Sequence, residues 1–572
     1  MTTSLQQIPC LPSNAPFTLE QRAWINGFLA GVFSFTSIEN PATQRPAALE
    51  APKAGPLLIL WGSQTGTAES LAKRIAKEAT ARGYEALLLD AAKHGEVDWA
   101  KQKRLLLVTS TWGDGEPPDN AQGFWSALNS PAAPSLAHVE FAVLGLGDKN
   151  YSSFCGAGKR FDERLAALGA KRIAPCAECD VDYEATAKAW LELFWSGQSS
   201  VQSNLLASTI ALPASGHSRS RPFTAPLLTA RILNAPGSAK ETRHFEFSLE
   251  GSGLSYDAGD ALGVFPSNDP ALVSAILEAL EVDGDTTLSL DGVQISFREA
   301  LLDKLDITRL SRDLLNALSV DNGEAAVRSW DLLDLLAATR SAKMPAAELV
   351  TQLKKLQPRL YSISSSPAAH AGQVHLTVSI VRYEAHGRWR GGVCSTYMAD
   401  RLSPGAAAPI FVHKSPHFRL PADADRPVIM VGPGTGIAPF RAFLHERAAT
   451  GAKGKNWLFF GDQRKATDFL YQSEMESFVA SGVLNELDLA FSRDQAAKVY
   501  VQDKMRERGA ELWKWLEEGA HFYVCGDASR MAKDVDAALH EVIESAGGLS
   551  RDAAADYVQK LKTEKRYQRD VY

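Results

Sequence analysis

A chain of 572 residues is too long for one core, so three or four domains are expected. With 45% hydrophobic residues, 9% aromatic residues and a net charge of −7, the composition is that of a soluble globular protein, and no Lys/Arg run points to nucleic acid. Six scattered cysteines argue against a disulfide framework and for a reducing, cytoplasmic setting.

In chain order, the first element is "FTLEQRAWINGFLAGVFSF" (17–35). Glu20, Gln21, Arg22 and Asn26 interrupt it, so it falls short of the roughly 20 consecutive apolar residues of a membrane span. It also lacks the basic start and cleavage site of a signal peptide. Trp24, Phe28, Val32 and Phe35 are spaced for one helix face, which predicts an amphipathic segment within 1–36. That face suits homo-oligomer or partner contact and internal packing equally. Pro/Ala-rich residues 37–56 and Ser-rich residues 196–222 are expected to be linkers.

Between the linkers, over 57–195, "LLILWG", "EALLLD", "RLLLVTS" and "EFAVLGLG" alternate with helical patterns, predicting a doubly wound parallel sheet. From 223 to 268, "APLLTARILNA" and "TRHFEFSLEG" suggest antiparallel barrel strands, and 269–350 reads as a helical insertion. Barrel text resumes over 351–424 with "RLYSISSSP" and "QVHLTVSIVRY". From 425 to 572 βα alternation returns, through "RPVIMVG", "NWLFFGD", "ELDLAFSR" and "HFYVCGD".

The turn after "LLILWG" offers hydroxyls from Ser63, Thr65 and Thr67, with Gly62 and Gly66 allowing close backbone approach at a helix start. That chemistry suits a terminal phosphate. No Gly-Lys-Ser/Thr follows, so it is not a nucleotide-hydrolysing loop. "STWGDGEPPDN" and "LGLGDKNYSSFC" also follow buried strands, on the same carboxyl edge, and supply Trp112 and Tyr151 for the faces of a flat ring. This layout resembles a flavodoxin-like FMN domain. The resemblance assigns FMN to Ser63, Gln64, Thr65, Gly66, Thr67, Ala68, Ser110, Thr111, Trp112, Gly113, Leu146, Gly147, Asp148, Asn150, Tyr151, Phe154 and Cys155. "CAEC" (176–179) has redox or metal spacing but no second pair, and the structural reading is favoured, with no metal site expected.

"RLYSISSSP" puts Arg359, Tyr361 and Ser362 on one strand, suited to pyrophosphate, ring and flavin edge. About thirty residues on, "GGVCSTYMADRL" supplies a Gly-Gly turn opening a helix, a second anion site. Together these resemble the FAD barrel of the ferredoxin–NADP reductase superfamily. The resemblance implies FAD contacts at Thr308, Arg359, Leu360, Tyr361, Ser362, Thr377, Val378, Tyr383, Gly392, Val393, Cys394, Ser395 and Tyr572. "VIMVGPGTGIAPF" has a G-x-G-x-G loop of reductase type, and "SRDQAAKVYVQ" gathers the charge a monoester phosphate requires. The reductase resemblance implies NADPH, over NADH, at Gly434, Thr435, Gly436, Ser492, Arg493, Lys498, Val499, Tyr500, Val501, Gln502 and Asp534.

The domain order resembles the diflavin reductases, and "LEQRAWINGF" with "RYQRDVY" is similar to the flavoprotein (alpha) component of bacterial assimilatory NADPH–sulfite reductase. The resemblance implies hydride entry from NADPH to FAD, single electrons leaving from FMN, and a separate sirohaem/iron–sulfur haemoprotein as acceptor. It places Ser362, Cys525, Asp570 and Tyr572 at the hydride site, with Tyr572 as a movable ring cover. "STWGDGEPPDN" and "GGVCSTY" depart from that family's usual forms, leaving open a general reductase for a cytochrome or a nitrate or nitrite reductase. A non-catalytic redox sensor is the third reading, disfavoured by the nucleotide motifs.

Overall fold

The computed structural model describes residues 55–63, 66–112, 115–147, 153–180, 183–196, 216–311, 314–315, 318, 329–339 and 344–572. The amphipathic segment 17–35, most of the 196–222 linker, and Gln64, Thr65, Gly113, Asp148, Asn150 and Tyr151 lie outside the described residues. From Pro56 onward the chain is one compact unit.

The first layer holds strands β1 (Gly55–Gly62), β2 (Tyr84–Asp90), β3 (Arg104–Ser110), β4 (Glu140–Leu146) and β5 (Lys171–Arg172), ordered β2-β1-β3-β4-β5. A further short strand, β6 (Ala177–Cys179), also pairs with β4. β1, β3 and β4 run parallel and are buried nearly end to end, which is why they read as continuous apolar runs. Helices α1 (Thr67–Ala81), α2 (Asp119–Asn129), α3 (Gly156–Ala167) and α4 (Tyr183–Ser196) belong to this layer. α1 buries Leu71, Ala72, Ile75 and Ala79, while Phe124 of α2 and Phe161 of α3 stack in the core. The strand order reverses between β1 and β3, so a crevice for a ligand opens there.

The second layer is antiparallel: β7 (Phe223–Ile232), β8 (Thr242–Ser248), β9 (Ala261–Val264), β12 (Arg359–Ser362), β13 (Gln373–Ser379) and β16 (Ala407–His413), ordered β12-β9-β16-β7-β8-β13. A bridge between Ile363 and Leu376 joins the two end strands, closing a barrel around Phe245, Phe247, Leu262, Val374 and Ile410. The insertion carries α5 (Pro270–Leu280), α6 (Leu332–Ala338) and α7 (Ala346–Gln352). It is not wholly helical, because "TLSLDGVQIS" forms a hairpin of β10 (Thr287–Leu290) and β11 (Val293–Ser296). Asp291 and Gly292 both have positive φ, the two-residue turn that an Asp-Gly pair favours, and that local signal outweighed the helical surroundings. A second hairpin, β14 (Arg382–Ala385) with β15 (Arg388–Gly391), leads into the helical turn Val393–Thr396.

The third layer is a parallel sheet of β17 (Val428–Val431), β18 (Asn456–Asp462), β19 (Glu486–Phe491), β20 (His521–Gly526) and β21 (Tyr567–Val571), ordered β19-β18-β17-β20-β21. Helices α8 (Ile437–Thr450), α9 (Val501–Glu507), α10 (Gly509–Glu517), α11 (Met531–Gly547) and α12 (Arg551–Thr563) surround it. Trp457, Trp515, Phe459 and Phe522 fill one core face and Phe440, Phe443 and Tyr523 the other. Burying both faces of such a sheet supplies much of this layer's stability.

Candidate functional site

The described residues meet in a cleft where barrel and third sheet join. Parallel pairing of β20 with β21 sets Cys525 beside Asp570, and barrel strand β12 brings Ser362 to them. The Ser362 hydroxyl donates to Asp570 Oδ2 at 2.6 Å, and the Cys525 thiol lies 3.8 Å from the same oxygen. Burial raises the Asp570 carboxyl above its ordinary value, while Ser362 and Cys525 pull it down. Burial and the adjacent carboxylate push the Cys525 thiol well up, so it stays protonated.

Two residues further, Tyr572 continues the strand through its N–H to Gly526 O at 3.0 Å, and its carbonyl accepts from Ala528 N. Its hydroxyl lies 2.8 Å from Thr435 Oγ1 in the glycine loop after β17, and the residue is 62% exposed. The ending is thus pinned at backbone and hydroxyl while presenting an open aromatic surface. Gly436 lets this loop pass β20: a Cβ there would stand 2.1 Å from Cys525 O. A cavity of about 360 Å³ opens here, lined among others by Lys240, Thr242, Gly434, Thr435, Asp462 and Tyr572. Of these, Lys240, Thr242 and Asp462 escaped sequence reasoning. Lys240 sits in a turn with no motif, and Asp462 reads only as the last residue of an apolar strand.

At the far edge of the sheet, the loop after β19 exposes Arg493, Lys498 and Tyr500. No ion pair engages Arg493 or Lys498 among the described residues. Ser492 is held by its N–H to Asp462 O at 2.9 Å, and Arg464, another residue the sequence did not flag, reaches Arg493 O at 3.2 Å. Gln502 meets Asp534 at 3.4 Å. Val501, by contrast, is buried in the hydrophobic core, so its side chain faces away from this group.

On the barrel, Tyr361 lies against Cys394, burial raising the phenol well above its ordinary value, and Tyr383 is exposed on β14. Gly392 precedes the turn at Val393, where Ser395 Oγ bonds Gly392 O. Arg359 donates to Gln357 O, Leu360 is half exposed, and Thr308 is tied to Asp306. Thr377 and Val378 are both buried, on opposite faces of β13: the Thr377 hydroxyl lies 2.6 Å from Tyr471 OH toward the third layer, and Val378 is in the barrel core. Nearby, donor atoms of His244, Glu246 and His375 lie within 4.8 Å of one another. They are already partnered: His244 with Tyr471 and Glu246, and His375 with Gln373, while the Arg441 guanidinium stands 3.4 Å from His375 Nδ1.

In the first layer, Gly66 takes φ 84° at the start of α1, a conformation that favours glycine. Ser63 Oγ accepts from Ala68 N, and Ser63 N donates to Asn120 Oδ1, a loop clamp unnoticed in the sequence. Thr67 begins α1 and Ala68 is fully buried. Ser110 ends β3, and Thr111 follows it with its N–H bonded to Leu146 O and a buried Oγ1 that has no hydrogen-bond partner among the described residues. That orphan hydroxyl at the β1/β3 crevice is what a bound polar ligand would satisfy, so the residues fit FMN. Gly147 packs against Phe154 and Cys155, whose buried thiol bonds Gly145 O. Burial pushes the Cys155 and Cys176 thiols up to about 12 and Cys179 to about 11, making all three poor nucleophiles at neutral pH.

This layer touches the rest of the unit beside that crevice. Pro416 abuts Gly66, His417 lies 3.2 Å from Glu69, and Arg569 bonds the Asp119 carboxylate through two nitrogens. Trp112, expected over a flavin face, packs against the core of the third sheet.

A phosphate crevice on one α/β sheet, a barrel and a nucleotide-type sheet in a single chain define a diflavin reductase. The flavodoxin family matches residues 59–192, the FAD binding domain family 215–318 and 297–397, and the oxidoreductase NAD-binding domain family 430–537. The flavoprotein alpha-component of NADPH sulfite reductase from Bacillus subtilis is 44% identical, over 97% of this chain and 96% of that protein. Those of Vibrio vulnificus and Yersinia enterocolitica are each 42% identical, over 99% and 97% of this chain and 96% of each relative. The chain belongs to the family of sulfite reductase flavoprotein alpha-components.

Proposed function

We propose that the chain is the electron-entry component of an assimilatory NADPH-dependent sulfite reductase, acting in the cytoplasm with a separate sirohaem/iron–sulfur haemoprotein. When bound, FAD and FMN supply the conversion of a two-electron hydride donor into single electrons. The chain's own residues bind, orient and shield. Ser63, the N-terminal turn of α1 and Thr111 would hold the FMN. Arg359, Tyr361 and the Gly392–Ser395 turn would hold the FAD. Ser492, Arg493, Lys498 and Tyr500 would read the 2′-phosphate of NADPH. The domain limits are those drawn from the sequence, and the 17–35 segment is assigned to contact between copies or with the haemoprotein.

One observation carries this reading: Ser362 from the barrel converges with Cys525, Asp570, Thr435 and Tyr572 from the sheet. The Asp570 carboxylate, accepting from the Ser362 hydroxyl, would favour positive charge as it develops on a nicotinamide losing hydride. The protonated Cys525 fills the wall without competing as a nucleophile. Tyr572 would cover the flavin ring when FAD is bound and would swing aside, giving up its hydrogen bond to Thr435, for nicotinamide to stack there.

The test reconstitutes the flavin-loaded chain with a purified sirohaem sulfite reductase haemoprotein. NADPH-driven sulfide formation is the expected result, and cytochrome c reduction without any sulfide would assign the chain to another acceptor. Deleting Tyr572 should tighten nicotinamide binding and slow product release; unchanged kinetics with NADPH and NADH would refute the cover role.

A further inference from the structure

The sheet order dictates where a dinucleotide must lie. The 2′-phosphate cluster follows β19 at one edge, and the hydride site is at β20 and β21 on the other. A nucleotide spanning the two crosses the ends of β18 and β17, so its pyrophosphate passes over Asp462 and the Gly434–Thr435 loop. One cationic side chain is present among the described residues lining that cavity: Lys240, from the barrel. Its Nζ lies 2.5 Å from Asp462 Oδ1 and within 4.0 Å of where a Gly434 Cβ would stand. The Lys240 side chain is 35% exposed, whereas that of Asp462 is 2% exposed. The ammonium can therefore move toward a ligand, and the carboxylate cannot. The other charged lining residue, Asp527, is acidic and accepts backbone N–H groups from Ser529 and Arg530. Without Lys240 the passage would present two carboxylates to a dianionic pyrophosphate.

We propose that Lys240 is the pyrophosphate-binding residue of this cleft, held by Asp462 until a dinucleotide draws its ammonium onto the phosphates. This rests on the NADPH reading above and adds a residue from the barrel to the nucleotide site. Lys240 then couples nucleotide binding to the contact between barrel and sheet. Burial raises the Asp462 carboxyl and its lysine partner opposes that, so the pair is a neutral unit that an anion can divide.

The test uses the flavin-loaded full chain and equilibrium binding of NADP⁺ and of adenosine 2′-monophosphate, which lacks the pyrophosphate. Lys240→Met should weaken NADP⁺ about tenfold or more, with the monophosphate changed less than about twofold. Asp462→Asn should act in the opposite sense, tightening NADP⁺ by releasing the ammonium, and should restore part of the loss in the double variant. Equal weakening of both probes by Lys240→Met would show a structural or 2′-phosphate role and overturn the inference. So would NADP⁺ binding that neither substitution alters. Failure of the unsubstituted chain to bind NADP⁺ would overturn the nucleotide reading itself.

Discussion

Removing Arg569 tests whether the first layer is latched where electrons must pass between flavins. The Arg569 and Asp119 side chains are 12% and 21% exposed and joined through two guanidinium nitrogens, so the pair is neither a solvated surface contact nor a fully enclosed one. Exposed pairs contribute about 0–1 kcal/mol, while truncating a buried one costs about 3–5 kcal/mol. An intermediate cost of about 2 kcal/mol shifts the docked-to-undocked ratio about thirtyfold. In that variant Asp119 still sits in the first turn of α2, where the helix end favours its charge, so the layer itself should stay folded. Small-angle scattering of flavin-loaded Arg569→Ala should show a larger population of extended molecules. Stopped-flow spectra should show slower transfer between flavins at an unchanged first reduction by NADPH. Asp119→Asn should reproduce both from the other side, separating the latch from any disturbance of Asp570. Scattering and internal transfer that match the unsubstituted chain in both variants would refute the latch.

Asp570→Asn should slow single-turnover flavin reduction about tenfold while NADP⁺ affinity changes less than about twofold, because only the charge on the Ser362 hydrogen bond is lost; an unaltered reduction rate would sink the assignment. Arg493→Ala and Lys498→Ala should each reduce the preference for NADPH over NADH about tenfold, and loss of both nucleotides in parallel would count against a 2′-phosphate role. Burial, with His244 and Arg441 respectively next in effect, holds the imidazoles of His375 and His244 at about 2 and about 3. Their folded values lie below the unfolded one, so stability is full above about pH 6.5 and falls as pH drops toward 3, by about 1.4 kcal/mol per pH unit for each ring. Urea midpoints at pH 7.5 and 5.5 should differ less in His375→Gln than in the unsubstituted chain, and an identical difference would refute this.

Much of the architecture was legible because parallel strands buried on both faces leave long apolar runs, as in β1, β3, β4, β18 and β20. The β10–β11 hairpin was missed because its Asp291–Gly292 turn lay within strongly helical text. Ser362 and Cys525 sit on strands legible as apolar text, whereas Asp570 joins them only through the family resemblance, because β21 is short and follows helical text. Lys240, His417 and Arg569 could not be placed from motifs, because each gains its partner across a layer boundary from 222 to 450 residues away in the chain, and Asn120 meets Ser63 57 residues away within the first layer. Local pattern carries no record of such pairings. Val501 shows the converse: a residue inside a recognised motif whose side chain serves the core.

Alternate residues of a strand face opposite sides, and β21 uses this in consecutive positions. Arg569 reaches outward to the flavodoxin-type layer, and Asp570 reaches into the barrel. One short edge strand is thus a common axle for two joints. On the proposed reading, a displacement of Tyr572 by nicotinamide would reach the Arg569 contact through a backbone three residues long. The proposed entry point of the reductant and the contact that holds the flavodoxin-type layer thus share one strand.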